Sequence, residues 1–347
     1  LRTKDLFLSG LGVFVPDTVS TDTAVGEGLC PPELVKEGDM TGAAVANGLP
    51  APEMALRAAR AALDQSGGVS PEDLSLLLYA DTWHQGPDGW FPQSYLQRCL
   101  GTGDALSLEI RQGCNAVFGG LELAAPLLAQ CPGDSGSALI VASDNYGTPR
   151  MNRWTAGPSF FGDGASALVL TRAPGFARVL SVNSMTVAEL EETHRFGEPL
   201  FPPAATTGAP VDFVTREEEF GAHLAEQGTE SELWIRLHHK MLLAVSRSMS
   251  EAGVTYTDLT RAAFTSLGPD DMEHRWMELL AMPMSKSTWD YSRHIGHIGA
   301  SDPFIGLHHL VTTGQVGPGD HVILGGIGSG VTVSCAVVEI LDDAGTG

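Results

Sequence analysis

The sequence predicts an α/β protein assembled from two copies of one structural unit. Strand-like apolar runs alternate with helical patterns, and one helix–turn–strand pattern occurs twice at a fixed spacing. Of 347 residues, 43% are hydrophobic and 18% charged, a balance that supports a sizeable buried core.

Residues 6–14, 74–80, 138–142 and 165–171 read as strands, rich in Val, Leu and Ile and bounded by Gly or Asp. Residues 53–65 carry Met54, Leu56, Ala59, Ala62 and Leu63 at helical spacing, and Gly67-Gly68 stops the pattern. Alternation of this kind indicates an α/β fold with buried sheets. The repeat begins at Ser66-Gly67-Gly68-Val69-Ser70-Pro71-Glu72-Asp73-Leu74, which leads from a helix into a strand. Glu251-Ala252-Gly253-Val254-Thr255-Tyr256-Thr257-Asp258-Leu259 does the same 185 residues later. At nearly that offset Phe118-Gly119-Gly120-Leu121 returns as Phe304-Ile305-Gly306-Leu307, and residues 137–141 resemble 320–324. The constant offset predicts duplicated halves, residues 1–174 and 175–347, meeting at Pro174-Gly175. Residues 200–219 break the pattern with Pro, Thr and Gly followed by Glu217-Glu218-Glu219. They read as a solvated insertion or as the wall of a binding pocket.

The net charge of −22 argues against nucleic acid, which calls for clustered Lys and Arg. No apolar run approaches the ~20 residues that span a bilayer. Leu1-Arg2-Thr3-Lys4-Asp5 runs straight into a strand-like stretch, so a cytoplasmic protein without membrane contact is expected. Five cysteines (Cys30, Cys99, Cys114, Cys131, Cys335) form no paired framework and no CxxC spacing. Neither disulfides nor a metal site are expected, though one cysteine is free to act as a nucleophile.

Three motifs carry chemistry. In Glu109-Ile110-Arg111-Gln112-Gly113-Cys114-Asn115-Ala116 a strand-like stretch ends in a tight turn and a small-residue helix begins. A cysteine there meets the positive end of the helix dipole, which favours a thiolate, and backbone N–H groups that stabilise an oxyanion. The competing reading of Cys114 is a packed core residue. Arg293-His294-Ile295-Gly296-His297-Ile298-Gly299-Ala300-Ser301-Asp302 occupies the corresponding place in the second half. A pseudo-twofold axis would bring the two helix starts, and hence a Cys and a His, together for nucleophilic catalysis. Ser301-Asp302-Pro303 also reads as an ordinary helix start. Leu324-Gly325-Gly326-Ile327-Gly328-Ser329-Gly330 offers glycines for a turn or for close backbone approach to a carbonyl, and no GK[ST] of a phosphate loop follows.

With Phe161-Gly162-Asp163-Gly164-Ala165, Ser143-Asp144 and Phe91-Pro92-Gln93-Ser94, these motifs make nearly the whole chain resemble β-ketoacyl-acyl-carrier-protein synthase III and its thiolase-superfamily relatives. The resemblance implies a thiolase-like five-layered αβαβα fold, a homodimer, Cys114 as acyl acceptor, and an oxyanion hole from Cys114 and Gly330. Condensing members pair the cysteine with a His-Gln-Ala-Asn histidine and a later asparagine. Here the first stretch reads Ser266-Leu267-Gly268-Pro269-Asp270-Asp271, and the asparagine position falls near Gly296. Without those groups an enolate lacks its stabilising donors. The chain therefore resembles the acyltransferase branch, in which His297 would be the base and Asp302 would orient it, with His294 the competing base. The expected reaction moves an acyl group from coenzyme A or a carrier protein, through Cys114, to a hydroxyl or amine acceptor in polyketide or glycoside natural-product biosynthesis. Arg150, Arg153 and Trp154 are the candidate donor-binding residues, and no cofactor is expected. The alternatives are a decarboxylative or priming synthase that forms a C–C bond, and an inactive partner subunit.

Overall fold

Nine strands form one mixed sheet in the computed structural model, which describes residues 1–133 and 135–341. The last residues of the expected second half, 342–347, lie outside the described residues. In chain order the strands are β1 (Phe7–Phe14), β2 (Thr18–Ser20), β3 (Gly42–Ala44), β4 (Leu76–Ala80), β5 (Leu106–Ile110), β6 (Ser137–Asp144), β7 (Gly164–Thr171), β8 (Ala177–Thr186), β9 (Leu259–Phe264), β10 (His321–Gly328) and β11 (Thr332–Ile340). All four strands read from the sequence are present, as β1, β4, β6 and β7.

The sheet order β5-β4-β6-β7-β1-β8-β11-β10-β9 mirrors itself about the β1–β8 junction. On one side β4 is parallel to β6, which runs antiparallel to β7, itself antiparallel to β1. On the other, β9 is parallel to β10, which runs antiparallel to β11, itself antiparallel to β8. β5 is the addition on the first side, and β2 and β3 pair separately.

Helices sort into layers by what they bury. α1 (Ala51–Gln65) lies against β1, β6 and β7 through Met54, Ala55, Ala58, Ala59 and Ala62. α2 (Ala116–Leu128) touches β4 and β6 of one half and β8 and β11 of the other. α3 (Phe213–Gln227) and α4 (Glu230–Ala252) follow, and α4 covers β8 and β11. α5 (Asp302–Thr312) likewise contacts both halves, β9 and β10 with β1 and β7. α2 and α5 are therefore the middle of five layers. Their buried Phe118 and Phe304 rings meet with centroids 5.4 Å apart, within the spacing of a favourable aromatic pair.

The 200–219 stretch is more ordered than a solvated loop. Asp212 accepts a hydrogen bond from the Thr215 N–H at 3.1 Å and starts α3, so the acidic run sits on a helix.

β1 and α1 approach more closely than side chains allow. A Cβ on Gly10 would stand 1.9 Å from the Ala62 carbonyl oxygen, and one on Gly12 would stand 2.1 Å from that of Ala58. Overpacking at such backbone contacts costs about 1–3 kcal/mol or more. Gly10→Ala should lower the urea midpoint by a corresponding amount at unchanged slope. An unchanged midpoint would show that helix and sheet can part without loss.

Candidate active site

Cys114 sits in the turn between β5 and α2, two residues ahead of the first helical residue. The turn depends on Gly113, at φ 56°. A Cβ there would lie 2.5 Å from the backbone nitrogen of Ser329, so Gly113 brings the β10–β11 hairpin against the cysteine. Asn115 ties the same junction to β11 by donating to the Ser334 hydroxyl at 3.0 Å.

His297 comes from the loop before α5, and its backbone is clamped on both sides. Its N–H donates to the Phe160 carbonyl at 2.7 Å, and its carbonyl accepts from the Gly162 N–H at 2.9 Å. Asp163, next in that stretch, forms a two-pronged pair with Arg153 at 2.9 Å for both contacts and also accepts from the N–H groups of Ala46 and Tyr146. Phe161-Gly162-Asp163 is thus a rigid bracket for the histidine.

The two duplicated helix starts bring thiol and imidazole into contact. Cys114 Sγ is 3.0 Å from His297 Nε2, and His297 Nδ1 is 2.5 Å from Asp302 Oδ2. Asp302 also accepts from the N–H of Ser266 at 2.8 Å and of Ile298 at 2.6 Å. With Nδ1 donating to the carboxylate, Nε2 faces the sulfur. All three residues are buried, at 8%, 2% and 7% exposure for Cys114, His297 and Asp302. Burial works to lower the His297 pKa, but the charges of Cys114 and Asp302 outweigh it and hold it well above the usual value. The arrangement is a nucleophile, a base and an orienting carboxylate in one line.

The structure separates the sequence candidates. His294 is exposed, and its Nδ1 is bonded to the Thr41 hydroxyl, so His297 is the imidazole at the thiol. Arg153 and Trp154 are not free to bind a donor: Arg153 is consumed by Asp163, and Trp154 is buried against Phe160. Arg150 is half-buried, donates through Nε to the Ala209 carbonyl at 3.1 Å, and stands 5.9 Å from the Trp83 ring centre. Gly330, at φ 80°, turns the hairpin, and the hairpin residues that line the cavity are Ile327, Gly328, Ser329 and Val331. Of Gly330 and Ser329, Ser329 is the one whose backbone nitrogen faces the Cys114 turn.

A cavity of about 360 Å³ opens over Cys114 and His297. Thr82 and Trp83 form one wall, held by their N–H groups to Asp144 at 2.8 and 2.9 Å. Burial lifts the Asp144 carboxyl to about 6, although the two N–H bonds oppose it. Phe213, Glu217 and Phe220 of α3 form another wall, so the 200–219 stretch does reach the pocket. Reading the sequence missed His194, Asp271 and Arg275 on the cavity wall. The one available signal was the Asp270-Asp271 pair standing where condensing relatives carry their histidine motif. Ligand atoms of Asp81, His84 and Glu109 lie within 4.8 Å of one another, a geometry open to a metal ion. Burial, with the charges of Asp144 and Glu109, lifts Asp81 to about 8, and Arg111 stands 3.5 Å away, so a cation already faces this group.

Because the folded-state pKa of His297 is raised, the imidazolium contributes stability that is complete below the unfolded value of about 6.5 and is lost as pH rises through the folded value. Thermal melts should therefore show wild type exceeding His297→Gln most below about pH 6.5. That margin should shrink toward alkaline pH; a margin independent of pH would contradict the charged pair.

The C-terminal profile of 3-oxoacyl-[acyl-carrier-protein] synthase III matches residues 249–340. The β-ketoacyl-[acyl-carrier-protein] synthase III of Clostridium beijerinckii is 24% identical, over 97% of this chain and 99% of the relative. The acetoacetyl-CoA synthase NphT7 of a Streptomyces species is 25% identical, over 95% and 97%. Among solved structures, synthase III of Aquifex aeolicus superposes with a TM-score of 0.76 at 18% identity, covering 96% and 99% of the chains. ChlB3, described as an acyltransferase, superposes with a TM-score of 0.92 at 48% identity, covering 98% and 99%. That degree of likeness over the full length, on a thiolase-like fold, shows that the chain belongs to the β-ketoacyl-acyl-carrier-protein synthase III-like family of the thiolase superfamily.

Proposed function

We propose that this protein takes an acyl group from a coenzyme A or carrier-protein thioester onto Cys114 and passes it to a hydroxyl or amine of a small acceptor, in polyketide or glycoside natural-product biosynthesis. The observation that carries the reading is the line Cys114 Sγ–His297 Nε2 at 3.0 Å, with Asp302 on Nδ1 at 2.5 Å. In the first step the thiolate attacks the donor carbonyl, the donor C–S bond breaks, and the His297 imidazolium gives its proton to the departing thiolate. In the second, neutral His297 takes the acceptor's proton as its oxygen or nitrogen bonds to the carbonyl. The Cys114 C–S bond breaks, and the thiolate–imidazolium pair returns. The N–H groups of Cys114 and Ser329 are our candidates for holding the tetrahedral oxyanion.

Condensation fits the pocket less well. Decarboxylation leaves an enolate, and the segment that carries a histidine in condensing relatives here offers Leu267 and the carboxylate of Asp271. An apolar side chain and a second negative charge disfavour that intermediate. Arg150, whose guanidinium lies beside the cavity-lining Trp83, is our remaining candidate for a donor phosphate. We also expect a homodimer: β5 is an open sheet edge whose Leu106 and Leu108 are about half exposed. Among the described residues no helix is long and apolar enough to cross a membrane.

Cys114→Ala should abolish the acyl adduct that intact-mass measurement detects after incubation with acyl-coenzyme A compounds. His297→Ala should slow transfer by roughly 10²–10⁴-fold; undiminished transfer would rule out this base. Arg150→Ala should raise KM for acyl-coenzyme A roughly tenfold with little change in kcat, and an unchanged KM would place the donor elsewhere.

A further inference from the structure

The catalytic line leaves the far side of the cavity unexplained. That wall is polar: His194 ends the turn Ala188–His194, Glu217 lies on α3, and Asp271 and Arg275 belong to the π-helical turn Asp271–Met277. Arg275 Nη1 pairs with Asp271 Oδ1 at 2.5 Å, but Asp271 Oδ2 is buried with no partner. His194 Nδ1 is also buried without a partner, while its Nε2 faces Glu217 Oε1 at 3.8 Å. With a proton on Nε2 toward Glu217, Nδ1 is an acceptor. Both orphaned atoms therefore call for hydrogen-bond donors, since buried polar groups in folded proteins nearly always find a partner. The charges agree, because one guanidinium stands against two carboxylates. Burial pushes both the Glu217 and Asp271 carboxyls up, against the pull of Arg275.

Asp271 and Arg275 also stand at a waist. A second, outer groove of about 440 Å³ shares Trp234, Leu237, Asp271 and Arg275 with the catalytic cavity and continues past Met241. Trp234 is 42% exposed there, an aromatic face open to a flat apolar partner.

We infer that Asp271 is the acceptor-selecting residue, binding through its free Oδ2 a second hydroxyl of a polyhydroxylated ring while a neighbouring hydroxyl of that ring reaches Cys114. The apolar scaffold that carries the ring lies against the exposed Trp234 ring in the outer groove, where His238, Asp270 and His274 provide the polar lining. This assignment rests on the acyl-transfer reading above and adds the acceptor's chemical class to it. A monohydroxylated acceptor leaves Oδ2 unsatisfied, and a site built to bind a hydroxyl discriminates strongly against the analogue that lacks it.

The test uses full-length protein loaded from acetyl-, propionyl- or benzoyl-coenzyme A, with loss of the acyl adduct followed by intact mass. Cyclohexanol and trans-cyclohexane-1,2-diol differ only by the second hydroxyl. Wild type should deacylate at least ~10-fold faster with the diol at equal concentration. Asp271→Leu should bring the ratio close to one, and Asp271→Asn, which keeps an acceptor oxygen, should restore part of it. The ratio is read within each variant, so partial unfolding or poor loading does not shift it. A wild-type ratio near one, or a ratio unmoved in Asp271→Leu, overturns the inference. Should neither variant load, the wild-type ratio alone decides. Absence of any adduct in wild type would instead sink the acyl-transfer reading, and the two failures are thereby distinguished.

Discussion

The site depends on one contact between the duplicated halves: the meeting of α2 and α5 in the central layer. Phe118 and Phe304 pack against each other inside it, and the helix starts that precede them deliver Cys114 and the His297–Asp302 pair to the same point. Neither half holds a working set alone. The thiol belongs to the first, and imidazole and carboxylate belong to the second. Separating the helices by even one ångström would break a contact of 3.0 Å between atoms on elements 183 residues apart.

Rigidity at that contact comes from the backbone. His297 is bonded through both its N–H and its carbonyl to the Phe160–Gly162 segment, and Asp163 fixes that segment through Arg153. Arg153 and Asp163 are both buried, so removing either partner would leave a charge without compensation. Asp302 has a double task, as its carboxylate receives the imidazole and also the N–H groups of Ser266 and Ile298. The helix does start here with Pro303 in its first turn, as the helix-start reading expects, but Ser301 makes no side-chain cap bond and the Asp302 carboxylate faces the imidazole rather than the helix's own first N–H groups.

Much of this was legible in the residues. Strands β1, β4, β6 and β7 follow from apolar runs with Gly and Asp at their ends, and Cys114 and His297 follow from a motif and a repeat offset. Arg153 and Trp154 show where such reading stops: a charge next to an aromatic looks the same in sequence whether it faces solvent or a buried Asp163. Gly330 and Ser329 differ by a single position in a hairpin, and only the turn geometry determines which nitrogen faces the cysteine. The polar wall of His194, Glu217, Asp271 and Arg275 could not be assembled from the residues, although Glu217 and Asp271 stood in stretches that drew notice, because its members come from three separate elements and no spacing relates them.

The cavity also divides by origin along the chain. Cys114, His297 and Asp302 sit where the two central-layer helices begin, whereas most side chains that shape the far wall come from the stretch between residues 190 and 275. Substitutions can accumulate in that stretch, on α3, α4 and the π-helical turn, without displacing the sulfur or the imidazole. A protein organised in this way can change what it accepts while keeping how it reacts, so divergence among relatives should be concentrated in one contiguous quarter of the polypeptide.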